Sequence, residues 1–376
     1  MREYIFIVLV AAIVTYAATP LLRSLALRAK AFTPVRDRDV HAVPIPRLGG
    51  VAMFLGFAAA MLVAGALPFS RQMFDGGELY GVLAGAAVVC VLGAIDDIVD
   101  LDWLIKLAGQ LVAAGIMAFQ GVQLFSLPLG QTVVLPAPVL VALTILVVIV
   151  ATNAVNFVDG LDGLATGVVG IAALSFFGYA YLISRSYNPP NVFTSAAFIS
   201  AALIGVCLGF LPHNFHPARI FMGDSGALLL GLLLAAAMIS ITGTVTGAAV
   251  STNTVAATLL PLVVPVSIIL LPLLDVVLAV IRRTRHGQRP WQPDAQHLHH
   301  RMLRWGHGHR RAVLLLWFWA AVAAVGSVLF VFLVPLAALG IVTAMLLTAT
   351  ALTVWLPRTA LDRAEDARAT AHSDRG

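Results

Sequence analysis

Asp96, Asp97, Asp100 and Asp102 crowd into VLGAIDDIVDLDWLIKLAG (91–109), between two apolar runs. Carboxylates that converge in a partly desolvated place raise one another's pKa unless a cation joins them. A hard divalent ion with oxygen ligands, retained waters and substrate phosphates suits such a set: Mg²⁺, with Mn²⁺ as its substitute. On a helix, Asp96 and Asp100 share a face while Asp97 points about 100° away. A second set, Asn153, Asn156, Asp159 and Asp162, recurs every third residue in NAVNFVDGLDGLATG (153–167). As a helix it forms one drifting stripe, which Gly160 and Gly163 should end in a loop. Its amides both donate and accept, which suits a base or sugar, and its carboxylates suit a metal or an N–H donor. Taken alone, it reads as an ordinary Asx-rich turn between helices. Asp224, just before SGALLLG, reads as a helix N-cap, or as a metal-holding carboxylate whose following amides face phosphate. His297, His299, His300 and Arg301 lie in DAQHLHHRMLRWGHGHRR (294–311). That run lacks a standard zinc spacing and has no cysteines beside it, so its imidazoles and guanidinium suit anions. Arg310 and Arg311 read as membrane-surface anchors, and His307 and His309 as incidental. Acids for a metal, a helix end for phosphate and cations for a pyrophosphate amount to phosphoryl-transfer equipment.

The elements that must position these residues are membrane helices. The chain is 60% hydrophobic and 11% charged, with a mean hydropathy of +0.95, whereas soluble domains carry roughly 25% charged residues. Runs long and apolar enough to cross a bilayer fall near 4–26, 48–67, 79–95, 104–120, 138–152, 163–184, 194–212, 226–246, 256–281, 312–333 and 336–356. The fold expected is an all-α polytopic membrane protein of about eleven transmembrane helices. Residues 1–356 form one catalytic domain and 357–376 a polar cytoplasmic tail. The run at 138–152 is short, and Pro335 marks a tight turn. The first span lacks a basic flank before it and a cleavage site, and reads as a retained helix. Cys90 and Cys207 fall inside apolar runs and read as buried thiols.

Basic residues set the orientation. Arg28, Lys30, Arg36, Arg38 and Arg47 share one loop, and 282–311 on the same side adds eight arginines; the opposite side holds only Arg2, Arg71 and Arg185. The rich side is cytoplasmic, so the N-terminus lies outside and the C-terminus inside. This bias accounts for a pI near 9.6 without nucleic acid. All four polar clusters land on the inner face, where polar residues at membrane depth mark function. A site that opens against the bilayer implies a lipid acceptor.

Five motifs carry a resemblance over nearly the whole chain: PRLGG (46–50), AIDDIVDLDWLIK (94–106), NAVNFVDGLDGLATG (153–167), HNFHPARIFMGDSG (213–226) and HLHHR (297–301). In this order, and on one side, they resemble the polyprenyl-phosphate N-acetylhexosamine-1-phosphate transferases, glycosyltransferase family 4. The resemblance implies a plasma-membrane enzyme whose lipid phosphate attacks the β-phosphorus of a UDP-sugar with release of UMP. It implies Asp224 as the principal Mg²⁺ ligand with Asn156 second, and Asp96 and Asp97 as an acidic pair essential to catalysis. It further implies Lys106 as a partner of the lipid phosphate or pyrophosphate, and Asp159 near the centre. Asn153, Asp162 and Asn214 resemble nucleotide contacts; His297, His299, His300 and Arg301 resemble pyrophosphate or sugar contacts. HLHH, in place of three consecutive histidines, and an eleventh span are similar to the UDP-N-acetylglucosamine branch rather than translocase I, which uses UDP-MurNAc-pentapeptide. A homodimer is compatible with this reading.

Two rivals fit less well. A CDP-alcohol phosphotransferase should continue DG with Ala-Arg and later paired aspartates, which DGLDGLATG lacks. A secondary transporter should place acids at the midplane on broken helices in repeated halves. Here they cluster at inner helix ends, with Asp275 the exception.

Overall fold

The computed structural model describes residues 1–29, 45–68, 70–124, 127–128, 132–133, 135–186, 193–245, 284–285 and 307–355. Apolar sequence becomes helix here because lipid offers no partner to an open backbone amide or carbonyl, so each must be satisfied within its own segment. The long helices are α1 (Arg2–Arg28), α2 (Gly49–Ala66), α3 (Glu78–Val99), α4 (Trp103–Phe119), α5 (Ala137–Val158), α6 (Leu164–Ser186), α7 (Ser195–Asn214), α8 (Gly223–Val245), α9 (His309–Phe332) and α10 (Pro335–Trp355). Among the described residues, nine of these are long and apolar enough to cross a membrane. The 17-residue α4 spans about 26 Å at 1.5 Å per residue. The only strand pairing among the described residues is the two-residue antiparallel contact of β1 (Leu127–Pro128) with β2 (Thr132–Val133), in the α4–α5 connection. The chain is a multi-pass, all-helical membrane protein.

Ten of the eleven expected spans coincide with these helices. The eleventh, near 256–281, lies outside the described residues, as do Asp275, His297, His299, His300, Arg301 and the tail. One boundary is corrected. The run read as short at 138–152 continues to Val158, because Asn153 and Asn156 face protein rather than lipid and so do not end the helix. The stripe ends where expected, at Gly160 and Gly163.

Helix α8 is the axis of the bundle. Its span is 89% buried, against 11% for α10, and it packs on α2, α3, α5, α6 and α7. Small residues permit this closeness, as membrane helix contacts require. A Cβ at Gly50 would meet the backbone of Gly226, one at Gly93 the backbone of Ser225, and one at Gly231 the backbone of Thr152. PRLGG adds backbone bonds: Phe221 N–H donates to Pro46 O at 2.9 Å, Gly49 N–H to Phe221 O at 3.1 Å and Gly50 N–H to Met222 O at 2.9 Å. This clamp holds Leu48 in the left-handed region, at φ 87°, where a leucine seldom sits. The start of α8 is therefore fixed by α2 and α3 together. Large apolar side chains on the outside, such as Trp103, Leu104, Leu111 and Phe119, suit a lipid surround.

Candidate active site

The α3–α4 turn creates the first half of the site. Asp100 ends α3 with φ 58°, a conformation aspartate tolerates, and Asp102 caps α4 by accepting from Leu104 N–H at 2.9 Å. Both are exposed. Two of the four clustered acids thus shape the turn, and the other two, Asp96 and Asp97, are 7% exposed and face inward. The turn returns the chain so that Lys106, on the first turns of α4, sits 2.7 Å from Asp96 Oδ2. Leu101 N–H donates to Asp96 Oδ1 at 2.7 Å, so both oxygens of Asp96 accept a hydrogen bond.

The second half comes from α5 and α8. Lys106 Nζ also lies 3.1 Å from Asp224 Oδ2, and Asn156 Nδ2 donates to Asp224 Oδ1 at 3.0 Å. Four helices, α3, α4, α5 and α8, each bring one polar side chain to a single point. The Lys106 and Asp224 side chains keep 27% and 21% of their surface exposed, whereas that of Asp96 keeps 5%. The cluster is open on the lysine side.

Asp97 does something sequence reasoning did not foresee. Its Oδ1 accepts from Asp224 N–H at 2.9 Å, and its Oδ2 from Ser225 N–H at 3.3 Å and Ser225 Oγ at 2.9 Å. A carboxylate on α3 therefore caps α8, satisfying first-turn amides that have no partner within their own helix. Gly223 lets it come this close, since a Cβ there would meet the Asp97 carboxylate. The N-cap reading of Asp224 is corrected, and so, for the Ser225 amide, is the part of the metal-holding reading that turned the following amides to phosphate. Asp224 lies inside the first turn, and its amide and that of Ser225 are taken by Asp97.

Next to this centre lie residues of the α5–α6 and α7–α8 connections. Asp159 ends α5, and its N–H donates to Val155 O at 3.2 Å and Asn156 O at 3.3 Å. Enclosure by protein pushes its carboxyl up to about 7; Arg47 opposes the rise, and Asp224, Asp97 and Asp162 add to it. Asp162 Oδ2 accepts from Ala218 N–H at 3.0 Å and pairs with His216 Nδ1 at 2.8 Å. His216 stacks on His309 with centroids 4.2 Å apart and planes 19° apart, and Arg310 Nε donates to His216 O at 3.1 Å. His309 and Arg310, read from sequence as incidental and as an anchor, instead tie α9 to the Asp162 loop. Asp162, His216 and His309 have ligand atoms within 4.8 Å of one another. The near-parallel rings present faces to each other, so their in-plane lone pairs do not converge on one ion.

Asn153 and Asn214 face inward. Asn214 is 1% exposed; its Oδ1 accepts from Gly163 N–H at 3.1 Å and Thr166 Oγ1 at 3.0 Å, and its Nδ2 donates to Ile220 O at 3.2 Å. Asn153 Nδ2 donates to Gln110 Oε1 at 2.7 Å and to Ile149 O at 2.8 Å. Both amides brace the frame of the site. Gln110, also missed, lies one turn beyond Lys106; an isolated amide in the apolar run of α4 was its only signal. Ser225 and Thr166 carried no signal, because a buried hydroxyl in a membrane helix reads as ordinary packing.

The bundle with its acid centre at one end is a polytopic membrane enzyme, and it belongs to glycosyl transferase family 4. The family's model matches residues 79–242, from the start of α3 to the end of α8, which contain every member of the centre. Over 340 residues, 89% of its length, the chain is 42% identical to the decaprenyl-phosphate N-acetylglucosaminephosphotransferase of Mycolicibacterium smegmatis, covering 84% of that protein. The Mycobacterium leprae protein of the same name is also 42% identical, with 89% of this chain and 85% of that one covered. The probable undecaprenyl-phosphate N-acetylglucosaminyl 1-phosphate transferase of Bacillus subtilis is 29% identical, with 82% and 80% covered.

Proposed function

We propose that this protein transfers N-acetylglucosamine 1-phosphate from UDP-N-acetylglucosamine to a polyprenyl phosphate, decaprenyl or undecaprenyl, on the cytoplasmic face of the plasma membrane. The observation that carries this reading is the junction of Asp96, Lys106, Asn156 and Asp224 at one end of an apolar bundle. The relatives' names supply the sugar and the lipid class, and the one-sided excess of arginine supplies the inner face. In the reaction, an oxygen of the lipid phosphate attacks the β-phosphorus of the sugar nucleotide. The bond from that phosphorus to the bridging oxygen breaks, UMP leaves, and a new pyrophosphate joins lipid to sugar. One pyrophosphate is exchanged for another, so the protein has chiefly to position the partners and neutralise their charge.

The donor set fits Mg²⁺. Asp96, Asp224 and Asn156 offer hard oxygens, the cysteines are buried in the bundle, and the Lys106 ammonium already occupies a cation's place between two carboxylates. Bound there, Mg²⁺ would neutralise the pyrophosphate and the departing UMP. Asp224 and Asn156 would hold it, and Asp97 fixes Asp224 through α8. Asp96 organises the lysine and the metal; a phosphate monoester, with a second pKa near 6, needs little help from a base.

The test is purified protein in detergent or nanodiscs with UDP-[³H]GlcNAc, polyprenyl phosphate and Mg²⁺. Label should move into the organic phase as a lipid-linked sugar. Label that stays water-soluble with every divalent ion tried would overturn the proposal. Label moving only from UDP-MurNAc-pentapeptide would assign the protein to the translocase I branch.

A further inference from the structure

The chain contains twenty-one arginines and only two lysines, Lys30 and Lys106. At the acid centre it uses the lysine. Arginine forms a rigid, bidentate fork, whereas lysine is a compact charge on a flexible four-carbon stem. That difference matters where a cation must hold a place and then give it up. The Lys106 ammonium bridges Asp96 Oδ2 at 2.7 Å and Asp224 Oδ2 at 3.1 Å. The other oxygen of Asp224 accepts from Asn156. Both oxygens of the carboxylate best placed to hold a divalent ion are therefore engaged, one of them by a competing positive charge. A metal ion that takes Asp224 Oδ2 must displace the ammonium, because two cations in contact in a partly desolvated site repel strongly. The lysine has somewhere to go. A quarter of its side chain is exposed, and the residues that precede it on α4, Trp103, Leu104 and Ile105, are apolar and 66%, 56% and 51% exposed.

We propose that Lys106 is an exchangeable cation. It holds Asp96 and Asp224 together before the metal arrives, yields Asp224 to the divalent ion, and then meets the acceptor phosphate at the lipid-facing mouth. This rests on the transferase reading and deepens it. Metal entry and acceptor capture are coupled through one side chain, and such coupling is reciprocal. A fixed lysine that binds only substrate would leave metal affinity unaffected by its own displacement.

The test uses the full-length protein in nanodiscs without substrates. Mn²⁺ binding is followed by electron paramagnetic resonance in wild type, Lys106→Met and Lys106→Arg. Removing the competitor should tighten Mn²⁺ binding about tenfold, within the range usual for coupled sites, while transfer falls. Arginine, which keeps the charge and as a bidentate fork yields its place less readily, should bind Mn²⁺ more weakly than wild type; Mn²⁺ binding in Lys106→Arg as tight as in Lys106→Met would overturn the exchange. A general charge effect is separated from displacement by brief acetic anhydride labelling of wild type, read by mass spectrometry, with Lys30 as the internal reference. Saturating Mg²⁺ should raise the labelling of Lys106 relative to Lys30 severalfold. Unchanged labelling, or Mn²⁺ binding in a folded Lys106→Met no tighter than wild type, overturns the exchange but leaves the metal site standing. No Mn²⁺ binding to wild type overturns both. If Lys106→Met does not fold, the labelling of wild type decides.

Discussion

Both oxygens of Asp97 are taken by the first turn of α8, so its influence on the reaction runs through Asp224. Asp97→Ala takes the acceptor from two first-turn amides of α8, while the Ser225 hydroxyl keeps Met222 O at 3.1 Å; it should cost about 1–3 kcal/mol of stability, readable as a lower thermal midpoint, together with weaker Mn²⁺ binding. Asp224→Asn should leave the fold and its midpoint nearly intact. It should lower transfer about a thousandfold or more, the several kcal/mol that a lost metal clamp represents; turnover near wild type would remove Asp224 from the metal site. Asp159 makes a pH prediction. Its carboxyl titrates near 7 in the folded protein against an ordinary 3.8. A raised carboxyl pKa contributes stability that is full below the unfolded value and lost as pH climbs through the folded one. The metal-free protein should therefore melt lower at pH 8 than at pH 5, and Asp159→Asn should flatten that dependence.

Among the elements, α8 is set by glycines on its neighbours. A Cβ at Gly93 would meet the backbone of Ser225, whereas one at Gly115 has nothing within 4 Å. Gly93→Ala should cost about 1–3 kcal/mol as overpacking and lower transfer further by shifting Asp224, with Gly115→Ala as the silent control in both measurements. Helix positions were legible in the sequence because a bilayer demands one long apolar run per crossing. Where a run ends was less legible. Helix α5 carries Asn153 and Asn156 inside its last turns because their amides find Gln110 and Asp224 on other helices. The acid centre was readable as a set of types at helix ends. Which member touches which was not, since Asp97 as the cap of α8 and His216 stacked on His309 depend on the crossing of helices far apart in sequence.

For the whole molecule, the eleven crossings expected from the sequence would put the two termini on opposite faces, with the arginine-rich side inside. A cysteine added at the C-terminus should be labelled by a membrane-impermeant maleimide only in inverted vesicles; Cys90 and Cys207, both buried, should stay silent. Labelling in right-side-out vesicles would put the acid centre on the outer face. The central claim is that the phosphorus next to the sugar travels with it to the lipid. Donor labelled as [β-³²P]UDP-GlcNAc reports this directly, with purified protein, polyprenyl phosphate and Mg²⁺. The expected result is ³²P in the lipid product and unlabelled UMP in the aqueous phase. Label retained in aqueous UDP beside a lipid-linked sugar would show transfer of the sugar alone and contradict the mechanism.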